Sequence, residues 1–335
     1  MVLAVVDSGF FPHPDLLQPR KRIRAYADVT RDVPNERDLL ARRPSSWHGT
    51  MTACCAVGSG YLSGGRYRSL AYESDVVLIK AADDEGRIRG KALAAALRFP
   101  LQHPDLGIRI LSVSVSVDDD DPEARDVERA VEELTEAGII VIAAAGNTPG
   151  TPPPPPGSAA HAITVGGMDD HNNSNRSDDV PWPSSFGKNR DGIAKPDLLA
   201  PAILVPAPMV PGTLQAREAH ALYDLLTVLE EVRLDPPSDD AGRASAMGLL
   251  DAVEARIHLQ KYIAPDYQHV DGTSFAAPVV ASVVAQMLEA NPRLTLAQVR
   301  EALVSTARPL HGVPGEQQGA GVVDPAAAVA WVVTR

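Results

Sequence analysis

Cysteine and aromatic residues are scarce in this chain, and each shortage narrows what it can be. The two cysteines, Cys54 and Cys55, are adjacent, a spacing that supplies neither a disulfide framework nor the paired sets of a zinc site. They read as two small thiols buried in a helix. Aromatics make up 4% of the 335 residues, so the 44% hydrophobic fraction must build its core mainly from Val, Leu, Ile and Ala. No apolar run approaches the roughly 20 residues that span a bilayer. The N-terminus has no basic segment followed by a signal-type apolar stretch. A cytoplasmic protein is the expectation. Positive charge is also in deficit: the formal net charge of -12 argues against nucleic acid or an anionic membrane as a partner.

What is present is an alternation of two patterns. Apolar runs rich in Val and Ile fall at residues 2–6, 76–81, 108–117, 139–145 and 162–166. Helical patterns fall between them at 50–57, 90–101 and 122–137. Strands that are apolar on both faces and separated by helices predict a doubly wound α/β fold, a mostly parallel sheet with helices on both faces. Sites in such folds gather at the carboxyl ends of the strands. One domain over residues 1–335 is expected. Residues 274–290 and 295–306 read as further helices, the second with Thr295 as its N-cap.

Three reactive residues stand where such a fold would expose them. Asp7 follows the first run in Val5-Val6-Asp7-Ser8-Gly9, with His13-Pro14-Asp15-Leu16 just after. His48 opens a helix in His48-Gly49-Thr50, and Ser274 heads another in Gly272-Thr273-Ser274-Phe275-Ala276-Ala277-Pro278. Asn147 ends the run Ala143-Ala144-Ala145-Gly146-Asn147. Taken singly, each has an ordinary structural reading as a turn former or a helix cap. No His-Glu-x-x-His pattern offers a metal-based alternative, and the other histidines are expected to be solvated or structural.

Together, in the order Asp, His, Ser, these segments resemble the subtilisin-like serine peptidases (subtilases). Ala162-Ile163-Thr164-Val165-Gly166 and Lys195-Pro196-Asp197-Leu198-Leu199-Ala200-Pro201 extend the likeness over most of the chain. The resemblance implies a serine endopeptidase acting on a protein or peptide substrate. Asp7, His48 and Ser274 would be its triad and Asn147 its oxyanion donor, with no cofactor. It also implies a substrate-binding strand at Ser114, Val115 and Ser116, facing a second wall at Ala144, Ala145 and Gly146. An opposite edge is expected near Gly86. A histidine base must be neutral to accept a proton, so activity should rise with pH through about 6.5. The alternative is a catalytically silent binding or regulatory protein on the same fold.

The sequence departs from the family in several places. Family members usually carry a segment ahead of the Asp strand that often contributes to a calcium site, whereas here the likeness starts at the first residues. The stretch 58–65 is short and neutral, so no metal is expected. Ser116 stands where the family usually has Gly, which would narrow the pocket for the residue preceding the cleaved bond. The proline tract Pro152 to Pro156, stiff polyproline II by composition, replaces much of the loop that usually floors that pocket. The largest departure is a helical hairpin insert at 206–268, with helices over about 213–234 and 241–263. Leu222, Leu225, Leu226, Leu229 and Val232 form one apolar stripe on the first helix. The insert is expected to restrict access to the cleft, or to receive a regulatory protein partner.

Overall fold

The computed structural model describes residues 1–31 and 36–334. Its organising strand is β1 (Val2–Asp7). Successive side chains on a strand point to opposite faces. Leu3 and Val5 therefore enter one apolar cluster, and Val2, Ala4 and Val6 enter another. Asp7 continues the odd-numbered series, and so points to the Leu3–Val5 face.

Six more strands extend the sheet. They are β2 (Ile23–Asp28), β3 (Asp75–Lys80), β4 (Ile110–Val113), β5 (Ile140–Ala144), β6 (Ile163–Asp169) and β7 (Leu198–Pro201). Their order is β7-β6-β5-β4-β1-β3-β2, all parallel, with Val180–Pro181 added antiparallel to β6. The chain reverses its direction of travel across the sheet at β1, which places a crevice beyond the carboxyl ends of β1 and β4. The expected strand over 108–117 is paired only across Ile110–Val113, so Ser114 lies just past a strand end, at that crevice.

Helices cover both faces, as the two-sided apolar runs require. The Leu3–Val5 face packs on α1 (Ser46–Val57), and the opposite face on α2 (Gly90–Gln102) and α3 (Ala124–Glu136). The insert follows β7. It contains α4 (Leu214–Leu234), capped by the Thr213 side chain, and α5 (Asp240–Leu259), capped by Asp239. Then come α6 (Thr273–Ala290), α7 (Leu296–Thr306) and α8 (Pro325–Val333), all on the α1 side. By length and composition α6 could cross a membrane, yet most of its residues are buried against the sheet and α1. Thr295 caps α7 with a full capping box to Gln298.

The insert differs from a bare hairpin. Its ends form a small antiparallel sheet of β8 (Val205–Pro208), β9 (Tyr262–Ala264) and β10 (Tyr267–Val270), in the order β8-β10-β9. The second helix stops at Leu259 rather than 263, and Lys261 turns the chain with φ 56°. The apolar stripe finds its cover within the insert: Leu222, Leu226 and Leu229 pack on Leu250, Val253 and Ile257, while Leu225 and Met247 stay exposed. The hairpin meets the body near its base, where Ala216, Ala219, Leu222 and Tyr223 of α4 and Ile257 of α5 cluster with Met51 and Phe275.

A buried polar bond fastens the small sheet down. The Tyr267 hydroxyl, on a fully buried side chain, donates to both carboxylate oxygens of Asp15 at 2.8 and 3.0 Å. Burial pushes the Asp15 carboxyl above its usual value, and the Tyr267 hydroxyl pulls it back down. Removing that donor leaves a buried acceptor short of a partner, which costs about 1–3 kcal/mol. Tyr267→Phe is therefore expected to lower unfolding stability by that amount in urea titration. A midpoint equal to that of the parent protein would show that the bond contributes nothing.

Candidate active site

The His48-Gly49-Thr50 segment has a physical reason in each of its three residues. Gly49 lets α1 lie against the end of β1, since a Cβ there would run into the Gly9 carbonyl and come within 2.8 Å of Asp7 Cβ. Thr50 Oγ1 accepts the Phe11 amide at 2.8 Å and donates to the Ser46 carbonyl at 2.6 Å, tying the loop after β1 to the helix. His48 Nδ1 then lies 2.7 Å from Asp7 Oδ1. Asp7 has no solvent exposure. Its Oδ1 also accepts from the Ser8 amide at 2.6 Å, and its Oδ2 from the Thr52 hydroxyl at 2.9 Å.

Two opposing effects act on His48. Burial depresses its basicity, and the Asp7 carboxylate, by charge and by hydrogen bond, raises it; the net is upward from 6.5. The imidazole also lies beside the Phe275 ring, with centroids 5.6 Å apart.

Ser274 stands at the start of α6, whose first amides have no partner within the helix. Gly272 precedes it with φ 133°, a backbone conformation that favours glycine. Pro278, inside α6, has no N–H to offer the carbonyl four residues earlier. That carbonyl belongs to Ser274, and it takes the Ser114 hydroxyl instead at 2.8 Å. The Ser274 hydroxyl returns a bond to the Ser114 carbonyl at 3.1 Å. At rest it is therefore engaged by Ser114, and no hydrogen bond joins it to His48 among the described residues.

Asn147 is held by one end only. Its Oδ1 accepts from the Thr273 amide at 3.1 Å and the Thr273 hydroxyl at 2.9 Å. The side-chain NH2 is thereby assigned by the network and left to donate elsewhere.

Ser114, Asn147, Thr273 and Ser274 border a cavity of about 390 Å³, which His48 and Asp7 do not line. Ser114, Val115, Ser116, Asp118 and Asp119 line it from one segment and Ala144, Gly146, Asn147 and Thr148 from another, joined by Pro152, Pro154 and Ser274. Of the residues assigned to substrate walls from sequence, Ala145 is not at the surface: it is fully buried and its amide bonds the Val165 carbonyl. Gly86 does not line the cavity either. It occupies a turn with φ 80° closed by the Ala82–Ile88 bridge, and a Cβ there would lie 3.9 Å from Ser45. Thr52, Ser8 and Thr273 were not singled out from sequence. Thr273 lay in full view inside the Ser segment, whereas nothing local marks Thr52.

A second polar group lies nearby. His13, Asp15 and Cys54, all buried, bring potential ligand atoms within 4.8 Å of one another. Calcium takes six to eight oxygens, and this group offers one carboxylate already engaged by Tyr267. His13 Nδ1 accepts the Asp15 amide, and burial lowers the pKa of His13 to about 4. The donor set does not fit calcium.

A subtilase-family model matches residues 1–322, and the chain belongs to that family. It is 30% identical over 313 residues to the serine protease AprX of Bacillus subtilis, an alignment covering 90% of this chain and 60% of AprX. The chain thus spans 60% of the length of that relative. A stretch of 64 residues, 19% of this chain and 11% of the relative, is 42% identical to mycosin-5 of Mycobacterium tuberculosis. Among solved structures, the prenylagaramide maturation protease PagA matches over 99% of this chain and 94% of its own, with a TM-score of 0.64 at 18% identity. That likeness concerns the fold.

Two outcomes test this geometry without any assay of turnover. In an NMR titration His48 should titrate above 6.5, and Asp7→Asn should bring it below 6.5, because the raising contacts go and the burial stays. A His48 midpoint unmoved by Asp7→Asn would contradict the pairing. Chelator treatment should leave the thermal midpoint in place; a drop reversed by calcium or zinc would reveal a metal site.

Proposed function

We propose that this chain is a serine endopeptidase that hydrolyses peptide bonds through an acyl-enzyme intermediate. Ser274 is the nucleophile, His48 the general base and Asp7 its orienting partner. The observation that carries the reading is the 2.7 Å bond between His48 Nδ1 and the buried Asp7. It fixes the tautomer so that the other imidazole nitrogen is the one free to act as base.

A serine hydroxyl is a poor nucleophile until a base takes its proton. In the reaction the Ser274 hydroxyl turns from the Ser114 carbonyl to His48, a rotation between staggered side-chain positions. As its oxygen adds to the scissile carbonyl, the proton passes to His48, and Asp7 stabilises the imidazolium. The developing oxyanion takes hydrogen bonds from the Asn147 NH2 and the Ser274 amide, at a helix N-terminus whose dipole favours negative charge. Collapse expels the amine, which leaves with the proton from His48. Water, deprotonated by the same base, then releases the acyl group and regenerates Ser274. Extended substrate would lie along the wall of Ser114 to Ser116 by backbone pairing.

The elevated His48 basicity moves the expected pH profile: kcat/KM should rise through a midpoint above 6.5 rather than at it. Fluorophosphonate labelling of the isolated protein should occur, be lost in Ser274→Ala, and map to Ser274. Labelling that survives Ser274→Ala contradicts Ser274 as the nucleophile, and labelling absent under all conditions favours the silent-binding alternative.

A second role concerns the insert as a steric gate or a regulatory partner's docking place. It is favoured by the packing of α4 beside Phe275, the residue after Ser274, and by the exposed Leu214, Leu234, Met247, Leu249 and Leu259. Replacing residues 214–259 by a short Gly/Ser linker preserves the small sheet and the Tyr267 bond. It should raise cleavage of folded proteins more than cleavage of short peptides. Equal change for both substrates would reduce the hairpin to decoration.

A further inference from the structure

The cavity beside Ser274 is lined mainly by polar residues, and its charge is not balanced. Val117 donates its amide to the Pro155 carbonyl at 3.0 Å, closing one wall against the proline floor. The two residues that follow, Asp118 and Asp119, line the cavity beyond that closure. The four acids in the run Asp118-Asp119-Asp120-Asp121 are not equivalent. Asp121 accepts the Gly90 and Glu123 amides and serves α2 and the start of α3. Asp119 faces Arg190, 3.7 Å from its guanidinium, which also donates to the Asp119 carbonyl at 2.7 Å. Asp120 does not line the cavity. Asp118 does, and among the described residues no cation pairs with it.

Resting on the peptidase reading above, we propose that Asp118 makes this cavity selective for substrates with a long basic side chain, Arg or Lys, immediately before the cleaved bond. Ten of the fifteen lining residues carry a hydroxyl, amide or carboxylate, so a neutral apolar side chain would desolvate polar groups without replacing their hydrogen bonds. A guanidinium or ammonium repays that cost by meeting the one unpaired carboxylate. Length matters because Asp118 is four residues along the wall from Ser114, at most about 13 Å of extended chain. A short cation near Ser274 falls short of it. Arg suits the site better than Lys, since its planar fork can serve the carboxylate and a neighbouring hydroxyl together.

The test compares fluorogenic peptide amides that differ only in that residue: arginine, its neutral isostere citrulline, and leucine. Arginine should exceed citrulline by about tenfold in kcat/KM at low salt, the effect of one charge-assisted hydrogen bond in a partly sheltered pocket. The preference should shrink as ionic strength rises, because Asp118 is exposed and exposed charges are screened. Asp118→Asn should bring the ratio near one, and Asp118→Glu should keep most of it. A parent ratio near one, or a preference that survives Asp118→Asn, overturns the proposal. A readout independent of turnover uses Ser274→Ala, which should bind a peptide ending in arginine about tenfold more tightly than the citrulline peptide. That difference should vanish in the double variant with Asp118→Asn. Fluorophosphonate labelling of the parent protein separates the two failures. A labelled enzyme with no arginine preference sinks the specificity alone, and absent labelling with absent cleavage sinks the peptidase reading beneath it.

Discussion

A carboxylate with no solvent exposure ends the central strand, and the surrounding architecture answers its demand for partners. Ionised carboxylates are expensive to bury unless their oxygens are met. Asp7 is met by the Ser8 amide, the Thr52 hydroxyl and the His48 ring. Two of those three partners lie on one helix, so α1 can take only one rotation and one height relative to β1. Gly49 permits the close approach that this fixed pose needs. The imidazole is thus oriented by the need to satisfy a buried charge, before any substrate is considered.

The Ser274 side of the site is built on a different principle, the removal of a donor. Pro278 withholds the amide that the Ser274 carbonyl would receive in a regular helix. The vacancy recruits the Ser114 hydroxyl from the end of β4. A defect in α6 thereby joins the head of that helix to the wall along which substrate is proposed to lie. The same turn holds Thr273, whose amide and hydroxyl both fix Asn147. One helical turn therefore positions a hydroxyl, a side-chain amide and a wall residue together.

Much of this was legible in the sequence because it is encoded locally. The two-sided apolar runs gave the parallel sheet, and contiguous motifs around Asp7, His48 and Ser274 marked the crevice residues. What escaped depended on distant pairings. Thr52 matters only because α1 places it over Asp7, 45 residues earlier. Tyr262 and Ile263 read as the end of an amphipathic helix, yet they form a short strand whose partners lie across a turn at Asp266. Tyr267 finds Asp15 at a separation of 252 residues. The apolar stripe of α4 was visible, but whether it would be covered by the body or by its sister helix is a packing outcome that periodicity does not contain.

The insert shares an apolar core with the helices that carry His48 and Ser274. His48 and Ser274 reside on α1 and α6, which pack on the same face of the sheet through small residues such as Ala53, Ala56, Ala277 and Ala281. Ser282 pins the pair by donating to the Ala56 carbonyl at 2.5 Å. At the other end of that contact, Met51 and Phe275 turn toward the insert's small sheet and cluster with Val205, Ala207, Met209, Tyr262 and Val270. The placement of His48 relative to Ser274 is therefore bounded by alanine packing below and by the insert's base beside it. The tip of the hairpin, held mainly by its own interhelical contacts, lacks such purchase. The hairpin meets that core through Ala216 and Ala219 on α4 and through Ile257 on α5. Under the gating role proposed above, that shared core is where hairpin and site would be coupled, whereas the tip would act by obstruction alone.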